Sequence, residues 1–389
     1  MRTACTQCGA CLAHCPMYRV VREEQTSPKA KHLLLDAVER EATLSWQKTL
    51  QLTRLCAGCG RCEDICPLHL SVPDTLARSR SRHLDWTSRV WAIWIRGSGL
   101  TWPLAGMAAN LLPRVGTPSG LRPLVLSAKS MKSVTHPAPW LRFTSRKPTS
   151  TETVALFAGC TANAIRPQWI TRARALLEKV GITIDPRSRQ FSCCGATVQH
   201  AGLLEAAETF RKNNIRLWES MGRPRVAVFC ASCQHGLEQY PETIFVDKDQ
   251  AVSWKKAIVP LSAFLLETNE TGFTADHKKT PRCVAYHQPC HRKGVDPDLA
   301  LLRGALPALS MGTALCCGMG GILKLTHAGM SARLAQTCWE GLVAEGENGP
   351  AEVLSGCSGC VLQLGAFAGN NSAWHWLDAV DIQADEQPQ

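Results

Sequence analysis

In the second half of the chain the apolar positions fall into short runs. Val154-Ala155-Leu156-Phe157, Val226-Ala227-Val228-Phe229, Cys283-Val284-Ala285-Tyr286 and Val353-Leu354 are rich in β-branched or aromatic residues. Runs of that length and character predict buried strands. Between them Gln168–Val180, Leu203–Met221 and Ser331–Ala344 carry helical spacing. The alternation predicts an α/β layer, and it occurs twice, over residues 151–271 and 272–389. Near the N-terminus, Lys31–Trp46 repeats apolar residues at helical intervals (Leu33, Leu34, Ala37, Val38, Ala42), which predicts a helix.

Residues 76–150 follow neither pattern. Val90, Trp91, Ile93, Trp94 and Ile95 lie between Arg89 and Arg96, with Arg78, Arg80 and Arg82 upstream. Tryptophan favours the headgroup level of a bilayer and arginine pairs with anionic lipid, so this stretch predicts a helix lying in a membrane interface. A protein-docking surface is the alternative. The longest uncharged run, Gly97–Pro113, is 17 residues and holds two prolines and three glycines. A spanning helix needs about 20 predominantly apolar residues, so no crossing is predicted.

Composition sharpens this. At 389 residues the chain has room for two to four domains, and 45% hydrophobic with 19% charged residues excludes general disorder. The net charge of +11 lies wholly between Arg78 and Pro148, where twelve Lys/Arg face one acid, Asp85. The same stretch holds five of the twelve tryptophans. No nucleic-acid fold accompanies these basic and aromatic residues, so nucleic acid is not an expected partner. Twenty cysteines set the chemistry. The sequence opens with no apolar run of signal-peptide type, and clustered cysteines in a reducing compartment read as metal ligands.

Eight of them form two copies of one run. Cys5-x2-Cys8-x2-Cys11-x3-Cys15-Pro16 recurs as Cys56-x2-Cys59-x2-Cys62-x3-Cys66-Pro67, displaced by 51 residues throughout. In such runs three cysteines wrap one iron–sulfur cube and the fourth serves the other cube. Cys5, Cys8, Cys11 and Cys66 are therefore expected to hold one [4Fe–4S] cluster, and Cys56, Cys59, Cys62 and Cys15 the second. Structural zinc, with ligands in two pairs, fits the pattern poorly.

Ten more cysteines follow a second scheme. Cys160, Cys193-Cys194-Gly195 and Cys230-x2-Cys233 recur as Cys290, Cys316-Cys317-Gly318 and Cys357-x2-Cys360. Adjacent cysteines aim at one centre only if the backbone turns sharply, which the following glycine permits. Five thiols in each copy exceed the needs of one zinc and predict a polynuclear iron–sulfur centre. Cys283 and Cys338 stand outside the motifs and read as packing. His14, His287 and His291 flank candidate ligands, either tuning a centre by a hydrogen bond to sulfur or sitting as satisfied neighbours. Gly318-x-Gly320-Gly321 follows two cysteines and reads as tight backbone, not a nucleotide loop. No flavin or nicotinamide fingerprint accompanies these motifs, which assigns hydride chemistry to another chain.

With these motifs the chain resembles the iron–sulfur subunit of glycolate oxidase. It is also similar to the Cys-Cys-Gly subunits of anaerobic glycerol-3-phosphate dehydrogenase and of heterodisulfide reductase. Cys15-Pro16-Met17-Tyr18, Ser27-Pro28-Lys29-Ala30-Lys31, Lys324-Leu325-Thr326-His327 and His375-Trp376-Leu377 favour the first. The chain then divides, in a mixed α+β and α/β fold, into a helical two-cluster ferredoxin-type domain (1–75), a basic Trp-rich interfacial linker (76–150) that the resemblance does not cover, and two homologous cysteine-rich domains (151–271 and 272–389). The resemblance implies an oxidoreductase subunit with no substrate-oxidising site of its own. Such a subunit passes electrons from an FAD-binding 2-hydroxy-acid dehydrogenase (glycolate or D-lactate) toward quinone at the inner face of the plasma membrane. It also implies a further centre in each cysteine-rich domain, of non-cubane type in heterodisulfide reductase. Disulfide reduction by these centres is the rival reading.

Overall fold

The computed structural model describes residues 5–40, 49, 54–84, 86–111, 122–132, 134–145, 152–267, 271–312, 316–343 and 351–382. Among these residues ten strands form three sheets: β1 (Leu141–Ser145), β2 (Thr153–Phe157), β3 (Thr183–Ile184), β4 (Val226–Val228), β5 (Ile258–Pro260), β6 (Thr271–Ala275), β7 (Cys283–Tyr286), β8 (Ala351–Ser355), β9 (Ser372–His375) and β10 (Val380–Asp381). The first copy is a parallel sheet in the order β3-β2-β4-β5, the second a parallel sheet in the order β7-β8-β9. Val154 to Phe157 and Val226 to Val228 are fully or nearly fully buried, as runs covered on both faces by helices require. The four predicted runs coincide with β2, β4, β7 and β8, and helices Pro167–Lys179, Leu204–Ser220 and Ala328–Leu342 occupy the predicted spans; Ala344 lies outside the described residues.

The two copies share one continuous apolar core. A buried polar lock adds to it. Asp378, at the end of the second copy, accepts hydrogen bonds from Trp169 Nε1 at 2.7 Å and Arg172 Nη1 at 3.3 Å on the first copy. His375 Nε2 lies 3.0 Å from the Phe229 carbonyl.

The third sheet, β10-β1-β6, ties the basic segment into this body: β1 runs parallel to β10 and antiparallel to β6. Trp140 just before it is fully buried, and its Nε1 donates to Glu352 Oε1 at 2.9 Å. The end of the predicted linker is therefore woven into the core.

The N-terminal part is helical, with helices Pro16–Val21, Pro28–Arg40, Arg61–Asp64 and Val72–Arg82. The helix expected over Lys31–Trp46 begins earlier, at Pro28 in its first turn; residues 41–48 lie outside the described set. Met17 packs with Leu323 and Leu334 of the second copy.

Candidate metal centres

The repeated cysteine runs close around two cavities. Cys5, Cys8, Cys11 and Cys66 line the first, together with Cys62. Cys15, Cys56, Cys59 and Cys62 line the second. Each fourth cysteine thus faces the trio of the opposite run, and Cys62 stands in the wall between the cavities. The prolines after Cys15 and Cys66 turn the chain away; Pro16 opens the helix Pro16–Val21. Cys8 is exposed, whereas Cys59 is buried and burial pushes its thiol up to about 11. The Gly58 amide points at Cys56 Sγ, 3.4 Å away.

In the cysteine-rich copies the thiols sit at the C-terminal ends of parallel strands, where open α/β sheets build their sites. Cys160 and Cys230 follow β2 and β4; Cys290 and Cys357 follow β7 and β8. Gly195 and Gly318 take left-handed φ values of 84° and 79°, and each donates its amide to the first sulfur of its pair at 3.4 Å. A Cβ on Gly318 would collide with the Ser331 carbonyl, so only glycine fits that turn.

These thiols form one line. The side chains of Cys160 and Cys193, Cys193 and Cys194, Cys194 and Cys233, and Cys233 and Cys230 lie against one another. Cys230 meets Cys357 of the other copy, Cys357 meets Cys360, and Cys360 meets Cys317. Along it Cys193, Cys233 and Cys360 are pushed far up by their sulfur neighbours and by burial, and Cys357 to about 12, while Cys194, Cys230 and Cys317 are held well down by theirs. Buried thiols this crowded, with backbone amides aimed at their sulfurs, suit a cluster that takes them as thiolates. Cys290 and Cys316 flank the line, close enough to Cys59 for their charges to interact. Of the two cysteine-rich sets, the second copy's thiols are therefore the ones set against the second N-terminal cavity, while the first copy touches the same loop through His200, beside Gly58.

The seam between copies is reciprocal. Cys230 and Cys357 are the N-caps of helices Ala231–Glu238 and Ser358–Ala366. The Ser358 amide donates to Cys230 Sγ at 3.4 Å, and Ser232 Oγ lies 3.0 Å from Cys357 Sγ. Ser232 Oγ is also 3.0 Å from His291 Nδ1, whose other ring nitrogen is 3.4 Å from the Gly58 carbonyl. A chain of polar contacts thus runs from the second N-terminal cysteine loop through His291 and Ser232 to Cys357.

Residues 2–70 match the family described as "4Fe-4S dicluster domain", and residues 154–238 and 284–365 match "Cysteine-rich domain". The glycolate oxidase iron-sulfur subunit of Escherichia coli is 26% identical over 99% of this chain and 94% of its own length. The probable glycolate oxidase iron-sulfur subunit of Bacillus subtilis is 24% identical over 92% and 87%. A dihydromethanophenazine:CoB–CoM heterodisulfide reductase subunit of Methanosarcina acetivorans is 22% identical over 93% and 88%. The chain resembles the glycolate oxidase iron–sulfur subunits. It is an iron–sulfur protein.

Within this iron–sulfur chain, sequence spacing singled out the eighteen motif cysteines but not their surroundings. His287, fully buried, forms a tight group with Cys317 and Cys360. Cys338 lies behind it, Sγ 3.6 Å from His287 Nδ1, so this packing cysteine also touches the site. Burial opposes a charge on His287, but the Cys338 and Cys317 sulfurs prevail and push it up to about 10. Asn214 supports the first copy, donating to the Cys193 carbonyl at 3.1 Å and lying 2.9 Å from the Tyr240 hydroxyl. Cys283 sits half-buried in β7. His14 faces solvent, 3.3 Å from the Ala10 carbonyl.

The basic segment divides into an inner and an outer face. In helix Trp86–Arg96, Trp91 and Ile95 pack inward with Ile165, Val198 and Ala201, and Trp91 Nε1 donates to the Thr197 carbonyl at 3.3 Å. Trp86 is 71% exposed and Ile93 67%. Leu100 and Leu111 of the following helix, Ser98–Leu111, are 69% and 87% exposed. Trp91 therefore cannot be the membrane-facing anchor that the sequence predicted, since the i, i+4 pair Trp91/Ile95 is used for packing. No described helix is long and apolar enough to cross a membrane.

Proposed function

We propose that the chain is the electron-transfer subunit of a membrane-associated, FAD-linked dehydrogenase of 2-hydroxy acids, glycolate or D-lactate. It receives electrons from the flavoprotein and passes them toward quinone. The observation that carries this is the unbroken succession of four cysteine sets from the exposed Cys8 to Cys160. A flavin releases two electrons, and iron–sulfur clusters accept them singly.

In this reading Cys5, Cys8, Cys11 and Cys66 hold one [4Fe–4S] cluster, and Cys56, Cys59, Cys62 and Cys15 the other. Cys290, Cys316, Cys317, Cys357 and Cys360 hold a third centre; Cys160, Cys193, Cys194, Cys230 and Cys233 hold a fourth. The chain's other groups set the environment: the Gly58, Gly195 and Gly318 amides donate to sulfur, Ser232 Oγ lies 3.0 Å from Cys357 Sγ, and burial excludes water. The two-cluster N-terminal part, 1–75, and the cysteine-rich domains, 151–271 and 272–389, are then functional units. Trp86, Ile93, Leu100 and Leu111, beside Arg89 and Arg96, support peripheral contact with the cytoplasmic face of the plasma membrane.

The test is anaerobic mixing of the full-length, iron-loaded protein with flavoprotein and substrate. Cluster bleaching is expected only when both are present. Bound flavin in this chain, or bleaching by substrate alone, overturns the reading. Cys15→Ser and Cys66→Ser each damage the cluster whose other three ligands lie in the opposite run. Disulfide reduction is the second reading, favoured by the intact seam at Cys230 and Cys357 and by the similarity to heterodisulfide reductase. Disulfide-driven reoxidation of the reduced protein, without any response to quinone, selects it.

A further inference from the structure

A cavity of about 370 Å³ opens where three parts of the chain meet. Gln234, His235 and Glu238 line it from the first copy, and His291, Arg292 and Lys293 from the second. Asp64, next to the second N-terminal cysteine loop, reaches it through an ion pair with Lys293. Gln234 and His235 directly follow Cys233, and His291 directly follows Cys290. Its size falls in the range of small-molecule sites.

Its chemistry narrows the ligand. The cations are already matched: Arg292 sits 3.1 Å from Asp298 and 3.7 Å from Asp296, and Lys293 pairs with Asp64. No lining cation is left over to hold a carboxylate, which argues against a hydroxy acid here. His235 and His291 stack with ring centroids 4.6 Å apart and planes 8° apart, offering a flat aromatic face. Among the described residues neither ring nitrogen of His235 has a hydrogen-bond partner. Gln234 Oε1 is buried without one, although its amide nitrogen donates to Glu238 Oε1 at 2.7 Å. Pro260, Val295 and Pro297 supply an apolar wall. The site therefore wants a neutral, flat molecule with a carbonyl for an imidazole N–H.

We infer that this cavity is the acceptor site, and that it binds a quinone headgroup against the His235–His291 pair. The inference rests on the electron-transfer reading and locates its last step. The quinone takes two electrons, delivered singly by the reduced centres, and two protons from water. Both carbonyls become hydroxyls, the centres return to their oxidised state, and no bond to the protein forms.

The test uses full-length, iron-loaded protein reduced with dithionite, freed of excess reductant and mixed anaerobically with decylubiquinone. Reoxidation is expected to saturate with quinone concentration. His235→Leu, and independently Gln239→Trp at the exposed rim, are expected to raise the half-saturating concentration at least tenfold. Iron content, cluster spectra and reoxidation by ferricyanide stay as in the parent. A photoreactive azidoquinone is expected to label residues 234–239 or 291–297. Reoxidation that rises linearly without saturation, labelling confined elsewhere, or parental half-saturation in both variants overturns the inference. Dithionite supplies the electrons, so these outcomes do not depend on a flavoprotein. A chain that binds quinone here yet is never reduced by such a partner defeats the functional reading alone.

Discussion

The two cysteine-rich copies carry one motif and meet different neighbours. In the first copy the short helix Ala196–His200, just after the Cys-Cys-Gly turn, is capped by the basic segment and the helix before it. Arg80 donates to the His200 carbonyl at 2.6 Å, Ser88 to the Ala201 carbonyl at 2.9 Å, and Trp91 to the Thr197 carbonyl. In the second copy the equivalent helix, Ile322–Thr326, also meets the basic segment through Ile322, but its Leu323 packs on Met17, Leu55 and Ala57 around the N-terminal cysteine loops. The first copy has Asn214 and Tyr240 behind its cysteine pair; the second has His287 and Cys338. The same five thiols are thus given two positions in one relay. Neighbours of sulfur set the potential of a centre, so the copies are expected to differ in potential despite equal ligand counts.

The largest effect separates the two centres. If each centre holds four irons, the intact protein carries about sixteen. Cys194→Ser and Cys317→Ser are each expected to remove the centre of their own copy, lowering iron and sulfide by about a quarter and sparing the N-terminal pair. Loss of both cysteine-rich centres from either substitution would mean that the copies share a single centre. About eight irons in the parent protein would remove them altogether.

Next comes the lock between the copies. Asp378→Ala leaves Arg172 without its carboxylate and Trp169 Nε1 without an acceptor, in full burial. Breaking such a buried pair costs roughly 3–5 kcal/mol, to be read from denaturant unfolding of the loaded protein. A loss under about 1 kcal/mol would show that the shared apolar core alone holds the copies together.

A smaller effect tests the cover of the first copy. Trp86→Gln with Ile93→Gln is expected to move the protein from membrane to soluble fraction with stability unchanged, because each apolar side chain contributes about 1.5–3 kcal/mol on burial. Trp91→Ala is expected to destabilise the fold instead, as it removes packing against Ile165 and Val198. Equal fractionation of parent and Trp86/Ile93 variant would favour a protein-docking face.

The smallest effect is electronic. His287→Leu removes a contact that only the second copy has. A hydrogen bond of about 1 kcal/mol corresponds to several tens of millivolts for one electron. The second-copy centre is expected to shift by about that much while the first-copy centre keeps its potential, measured by redox titration with EPR detection. Equal shifts in both would mean that His287 acts on the whole seam.

Much of this architecture is legible in the sequence, for local reasons. The strand runs are short, apolar and β-branched, and the cysteine trios wrap within a few residues, so spacing alone reveals them. The seam is different. Cys230 and Cys357 lie 127 positions apart, and His287 and Cys338 lie 51 apart, so no spacing announces their contacts. They arise because two parallel sheets place their strand ends face to face. The basic segment shows a third limit. Its tryptophans and arginines predict an amphipathic helix, but only the packed fold reveals that Trp91 faces the protein and Trp86 the solvent.

The central claim is that, of the two cysteine-rich sets, the second copy's lies against the N-terminal cysteines and meets the first copy's through Cys357 and Cys230. EPR of the fully reduced, iron-loaded protein tests it most directly, with Cys317→Ser as the reference. Contact predicts spin–spin broadening of the first-copy signal in the parent, lost when Cys317→Ser empties the second copy. A parent spectrum equal to the sum of isolated centres, unchanged at the first copy by Cys317→Ser, would contradict it.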